Sequence, residues 1–159
     1  MKAKDGILDQ LGKILTAELT AVHQYLLHAE LCRHWGYERL ADKFQHLYTE
    51  EVTHSGQLVR HMLYLSGQPD VGTLDEVKGG RSVKDLFETN LAFEREDVEM
   101  LRKAIAHAAK VGDFTTRHKL EEMVVDSEEH VDYFERQLAT IDQVGLTAYL
   151  AEQIKQSAS

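Results

Sequence analysis

Midway along the chain stands Glu51-Val52-Thr53-His54, a carboxylate and an imidazole three residues apart. On a helix, residues at that spacing share a face, so both side chains can point at one bound cation. Alone the pair says little, because Glu and His are common on helix surfaces and pair there at little gain. Its setting says more. The apolar stripe of this stretch runs Leu40, Phe44, Leu47, Leu58, Leu65, and Glu51 and His54 fall inside it. Removing a carboxylate from water costs several kcal/mol unless it is paired or coordinates a metal.

Three further stripes carry the same kind of interruption. Glu18 lies between Leu15 and Val22, Glu94 between Leu91 and Val98, and His130 between Met123 and Phe134. Glu51 lies 33 residues after Glu18, and 33 residues after Glu94 is position 127, three before His130. The chain therefore holds two copies of one plan, 76 residues apart: a Glu on one helix, then Glu-x-x-His on the next. The second copy departs from it, because Val125-Asp126-Ser127-Glu128-Glu129-His130 has serine where the acid belongs. Glu128 and Glu129 fall off the stripe, and Asp126 is one residue round and short. Three acids (Glu18, Glu51, Glu94) leave a pair of dications one charge short. The expectation is a firm ion position at Glu18, Glu51 and His54. A weaker one is expected at Glu94 and His130, with Glu51 bridging. Carboxylate and imidazole without sulfur suit iron or manganese, with zinc as a competitor. The single cysteine, Cys32, excludes a thiolate cluster and a disulfide within the chain.

Long helices must position these groups. Only one proline, Pro69, occurs in 159 residues. The 3.6-residue periodicity predicts helices at roughly 5–34, 37–65, 82–111 and 114–143, with a short amphipathic tail helix carrying Leu146, Tyr149, Leu150 and Ile154. On the first, Leu8, Leu11, Leu15, Leu19, Val22, Leu26 and Ala29 read as the core stripe. Gly36 and Gly112 mark tight turns; Ser66-Gly67-Gln68-Pro69 through Gly79-Gly80-Arg81 is the one long irregular stretch. Ser82 with Asp85 reads as a capping box, and Asp113 as an N-cap. Two tight hairpins joined by one long connection make an all-α four-helix bundle with a single crossover, in one domain over 1–159. One Glu from each of two helices plus Glu-x-x-His from the others is the ferritin-like dinuclear arrangement. A net charge of −9 argues against nucleic acid and anionic membranes as partners. The start of the chain has no apolar signal region and no stretch is long enough to span a bilayer, so the cytoplasm is the expected location.

At these residues the chain resembles a bacterioferritin over nearly all its length. The matches are Glu18, Gln24-Tyr25, His28, Trp35-Gly36, Glu51-x-x-His54, Gly67-x-Pro69, Glu94, Asp113, His130-x-Asp132 and Gly145-Leu146-x-x-Tyr149-Leu150. The resemblance implies a hollow cage of 24 subunits that oxidises Fe²⁺ with O₂ or peroxide at an intrasubunit di-iron centre and stores ferric mineral. It implies Glu18, Glu51, His54, Glu94 and His130 as the metal-binding and catalytic residues, and haem b held between two subunits by a methionine from each. Two positions depart. Val52 stands where the haem-ligating methionine is expected, and Ser127 stands for the bridging glutamate. Weakened oxidation is the expectation, and a non-catalytic co-subunit of a mixed cage is the alternative. Tyr48, Val52 and Val59 form a second apolar stripe on the second helix, the mark of a subunit interface.

Overall fold

Helix formers interrupted by few breakers give five helices among the described residues: α1 (Ile7–His34), α2 (Glu38–Tyr64), α3 (Val83–Lys110), α4 (Phe114–Val144) and α5 (Leu146–Gln153). The computed structural model describes residues 1–156, so the last three of the expected 1–159 domain lie outside the described residues. Each boundary of the four long helices falls within two residues of the periodicity reading. The hairpin turns need a left-handed residue, and Gly36 (φ 90°) and Gly112 (φ 73°) supply it. Asp113 caps α4, its carboxylate accepting the Thr116 N–H at 3.0 Å. Ser82 caps α3 by accepting the Asp85 N–H at 3.2 Å. The reciprocal half of that box differs, since Asp85 accepts from the N–H of Arg81 instead.

Helix α1 pairs with α2, α3 pairs with α4, and the two hairpins meet through α1 and α3. Apolar side chains fill two separate clusters. One, at the α5 end, is built on Tyr25, Phe44, Leu47, Phe87, Leu91 and Phe134. The other gathers Leu11, Leu15, Leu58, Met62, Leu101, Leu120 and Met123. Along all four long helices the polar interruptions lie between these clusters in sequence order, so the acids and histidines occupy the waist of the bundle.

The stripe read for α1 requires correction. Its buried face is Leu11, Ile14, Leu15, Glu18, Ala21, Tyr25 and Ala29, whereas Leu26 is 45% exposed and Leu19 and Val22 are only partly buried. Helix α1 is apolar around much of its circumference, so two registers satisfy the period. Packing against both α2 and α3 selects between them.

The long connection is fastened along α1. Thr20 Oγ1 accepts the Asp75 N–H (3.0 Å), Gln24 Oε1 accepts the Lys78 N–H (3.1 Å), and His28 Nε2 donates to the Lys78 carbonyl (2.7 Å). These three are spaced four apart and share one face of the helix. Asn90 from α3 completes the network, donating to His28 Nδ1 and accepting from Gln24 Nε2, both at 2.8 Å. His28 is therefore neutral and protonated at Nε2, and burial lowers its pKa to about 4. No helix among the described residues is long and apolar enough to cross a membrane.

Candidate metal centre

One helix each contributes Glu18 (α1), Glu51 with His54 (α2), Glu94 (α3) and His130 (α4), and all five are buried. They form two trios that share Glu51: Glu18–Glu51–His54 and Glu51–Glu94–His130. Within each trio the ligand-type atoms lie within 4.8 Å of one another. His54 Nδ1 stands 3.4 Å from Glu18 Oε2 and 3.5 Å from Glu51 Oε2. His130 Nδ1 stands 3.2 Å from Glu94 Oε1 and 3.5 Å from Glu51 Oε1.

Both imidazoles thus turn Nδ1 inward, and each Nε2 points outward to a carboxylate. His54 Nε2 meets Asp126 Oδ2 at 2.8 Å, and His130 Nε2 meets Glu50 Oε2 at 2.6 Å. A ring whose outer N–H is taken by an acid has its inner nitrogen free for a metal and its orientation fixed. Glu50 is also paired with the exposed His46 at 2.9 Å, which links the site to the surface. A surface cleft of about 500 Å³, lined by Thr49, Glu50, Thr53, His54, Glu122 and Asp126, opens beside these outer acids.

The sequence set Asp126 aside as one residue round and too short, yet Asp126 and Glu50 each hold a histidine ring. A third acid was missed altogether. Asp97 of α3, three residues beyond Glu94, is buried, and Ser127 Oγ donates to its Oδ2 at 2.9 Å. The spacing of three from Glu94 was the available signal. Glu128 and Glu129 are exposed, as their place off the stripe implied, and Glu128 pairs with Arg102 at 2.9 Å. Tyr25 is fully buried and its hydroxyl donates to Glu94 Oε1.

Electrostatically the site is in debt to a cation. Burial, then the neighbouring Glu51 carboxylate, raises Glu18 well above the usual carboxylate range. Burial likewise raises Glu51 to about 8. Burial alone would lower the histidines, but Glu18 and Asp126 lift His54 to about 9, and Glu50 and Glu94 lift His130 to about 11. Two buried atoms inside the first trio, Glu18 Oε2 and His54 Nδ1, have no hydrogen-bond partner. An orphaned acid oxygen and an orphaned ring nitrogen 3.4 Å apart are what a dication between them would join. The donor set of oxygens and imidazole nitrogens fits iron.

A ferritin-like domain model matches residues 8–144. Curated relatives align nearly end to end. The bacterial ferritin of Synechocystis sp. is 33% identical over 97% of this chain and 99% of its own length. The bacterioferritin of Mycobacterium leprae is 34% identical over 96% of both chains. That of Streptomyces coelicolor is 34% identical over 99% of this chain and 94% of its own. With a four-helix bundle, a carboxylate–histidine waist and these full-length relatives, the chain belongs to the ferritin-like family and, within it, to the bacterioferritins.

Proposed function

We propose that this chain is an iron-storage subunit that binds Fe²⁺ among its four helices and supports its oxidation and storage as ferric mineral. The observation that supports this most is the orphaned pair Glu18 Oε2 and His54 Nδ1, buried at the waist beside the shared Glu51. Full-length likeness to bacterioferritins agrees with it.

The residues divide the work. Glu51 serves both trios and fixes the spacing of two ions; Glu18 and Glu94 anchor one each. His54 and His130 offer Nδ1, while Asp126 and Glu50 hold the outer proton of each ring. Fe²⁺ supplies one electron per ion to O₂ or peroxide. The chain supplies fixed negative charge that favours the ferric product, and releases the protons that its acids and rings carry when metal-free. Because α4 has Ser127 in place of a long carboxylate, oxidation is slower than at a site with glutamate there.

The storage shell is an oligomer of this chain, a 24-mer by the family resemblance, or a mixed cage with a second bacterioferritin subunit, in the cytoplasm. Val52 offers no haem ligand, so haem b is not held through this position. The test is Fe²⁺ added in air to the metal-free assembled protein. Oxygen uptake, ferric absorbance and iron retained with the high-mass species are expected, and Glu51→Gln should lose uptake. If the shell forms but no oxygen is consumed, the non-catalytic co-subunit reading, which Ser127 favours, replaces this one.

A further inference from the structure

The charge count that leaves this site one acid short takes no account of Asp97. It is 4% exposed, nearly as deep as the acids of the two trios, and forms no ion pair among the described residues. One oxygen, Oδ2, accepts the hydroxyl of Ser127, itself 2% exposed. The other, Oδ1, has no hydrogen-bond partner. The charges that bear on it most are Glu18 and Glu94, one from each trio, with His54 beyond them. Glu94 and Asp97 are three apart on α3 and share a face. Asp97 therefore lies on the α3 face that carries Glu94 and reaches across to Ser127 of α4.

Ser127 explains how an acid fits there. A long carboxylate from α4 would fill this space with charge; a serine leaves room and supplies one donor. That donor fixes one oxygen and leaves the other for a ligand. Asp97 is not a member of either 4.8 Å trio, and the Ser127 bond holds it on the α4 side.

We propose that Asp97 is the second bridging carboxylate of this centre, supplied from α3 in place of the acid that α4 lacks, so that each chain binds two divalent ions. The inference rests on the reading of the waist as an iron site. With Asp97 the buried acids at the waist number four, and their charge matches two dications.

The test is anaerobic titration of the metal-free, full-length assembled protein with Co²⁺, followed by absorption and by metal analysis after gel filtration. The wild type should take two Co²⁺ per chain. Asp97→Asn, which keeps the shape and the Ser127 contact, should keep its helicity and take one. The double variant Asp97→Asn with Ser127→Glu returns the acid to α4 and should again take two. One Co²⁺ per wild-type chain, or two in Asp97→Asn, would overturn the role of Asp97 and leave the iron-site reading standing. No tightly held Co²⁺ in the wild type would overturn both.

Discussion

At the scale of single residues, the metal-free waist stores protons. Glu51 titrates at about 8 against an ordinary 4.5, His54 at about 9 against 6.5, and Glu18 and Asp97 are raised by burial. Each group binds its proton more tightly folded than unfolded. Its contribution to stability is complete below the unfolded value and is lost as pH rises through the folded one. His28 and His61 are lowered by burial and titrate below this window. Between about pH 7 and 9, the melting temperature of metal-free protein should therefore fall, and a divalent ion should remove the fall by replacing the protons. Scanning calorimetry with and without Zn²⁺ checks it; a flat metal-free profile would mean the acids are already neutralised by another route. Asp126 supports a second prediction. It is 45% exposed, so its pair with His54 adds under about 1 kcal/mol to stability. Holding the ring is worth more, roughly 10- to 100-fold in metal affinity. Asp126→Ala should thus weaken Co²⁺ binding by that factor and barely move the melting temperature. Glu18, Glu51, His54, Glu94 and His130 were legible in the sequence because each interrupts an apolar stripe. Asp97, Asp126 and Glu50 were not, because a stripe assigns one residue per turn whereas a helix face at a four-helix waist is wider.

At the scale of elements, the helices were legible to within two residues, since glycine turns and caps are local signals. What was not legible depends on partners. The face that α1 buries follows from contact with two neighbours, so Leu26 and Tyr25 could not be sorted by period. The path of the 65–82 connection depends on Thr20, Gln24 and His28, polar residues that a stripe reading passes over. This network makes its own prediction. Asn90→Ala removes the partner of His28 Nδ1 and of Gln24 Nε2, both buried, at a cost of roughly 1–3 kcal/mol for each group left unpaired. The variant should melt lower and exchange the amides of Asp75 and Lys78 faster, since those are the bonds that fasten the strap. Co²⁺ stoichiometry should stay as in the wild type, because none of these residues lines the trios. Loss of metal together with the strap would show that the crossover helps shape the site.

At the scale of the molecule, the surface combines a net charge of −9 with apolar residues left outside. Leu26 on α1 and Val52 on α2 are 45% and 44% exposed, and Leu63 and Tyr64 near the end of α2 are also exposed. Burying a half-exposed valine gains on the order of 1 kcal/mol, and a two-fold contact counts every such residue twice. Val52 is outside both core clusters, so changing it leaves the fold of one chain alone. Val52→Glu should accordingly keep full helicity and, if this face meets another copy, lower the assembled mass, because a carboxylate would then be buried without a partner. Val52→Met asks the finer question. If position 52 meets its own copy across a two-fold axis, a methionine from each chain would present paired sulfurs, and haem added to the assembled variant should give a visible Soret band absent from the wild type. Haem bound by the wild type would assign the ligand to another residue. An assembled Val52→Met that takes none would mean that position 52 does not meet its own copy across such an axis.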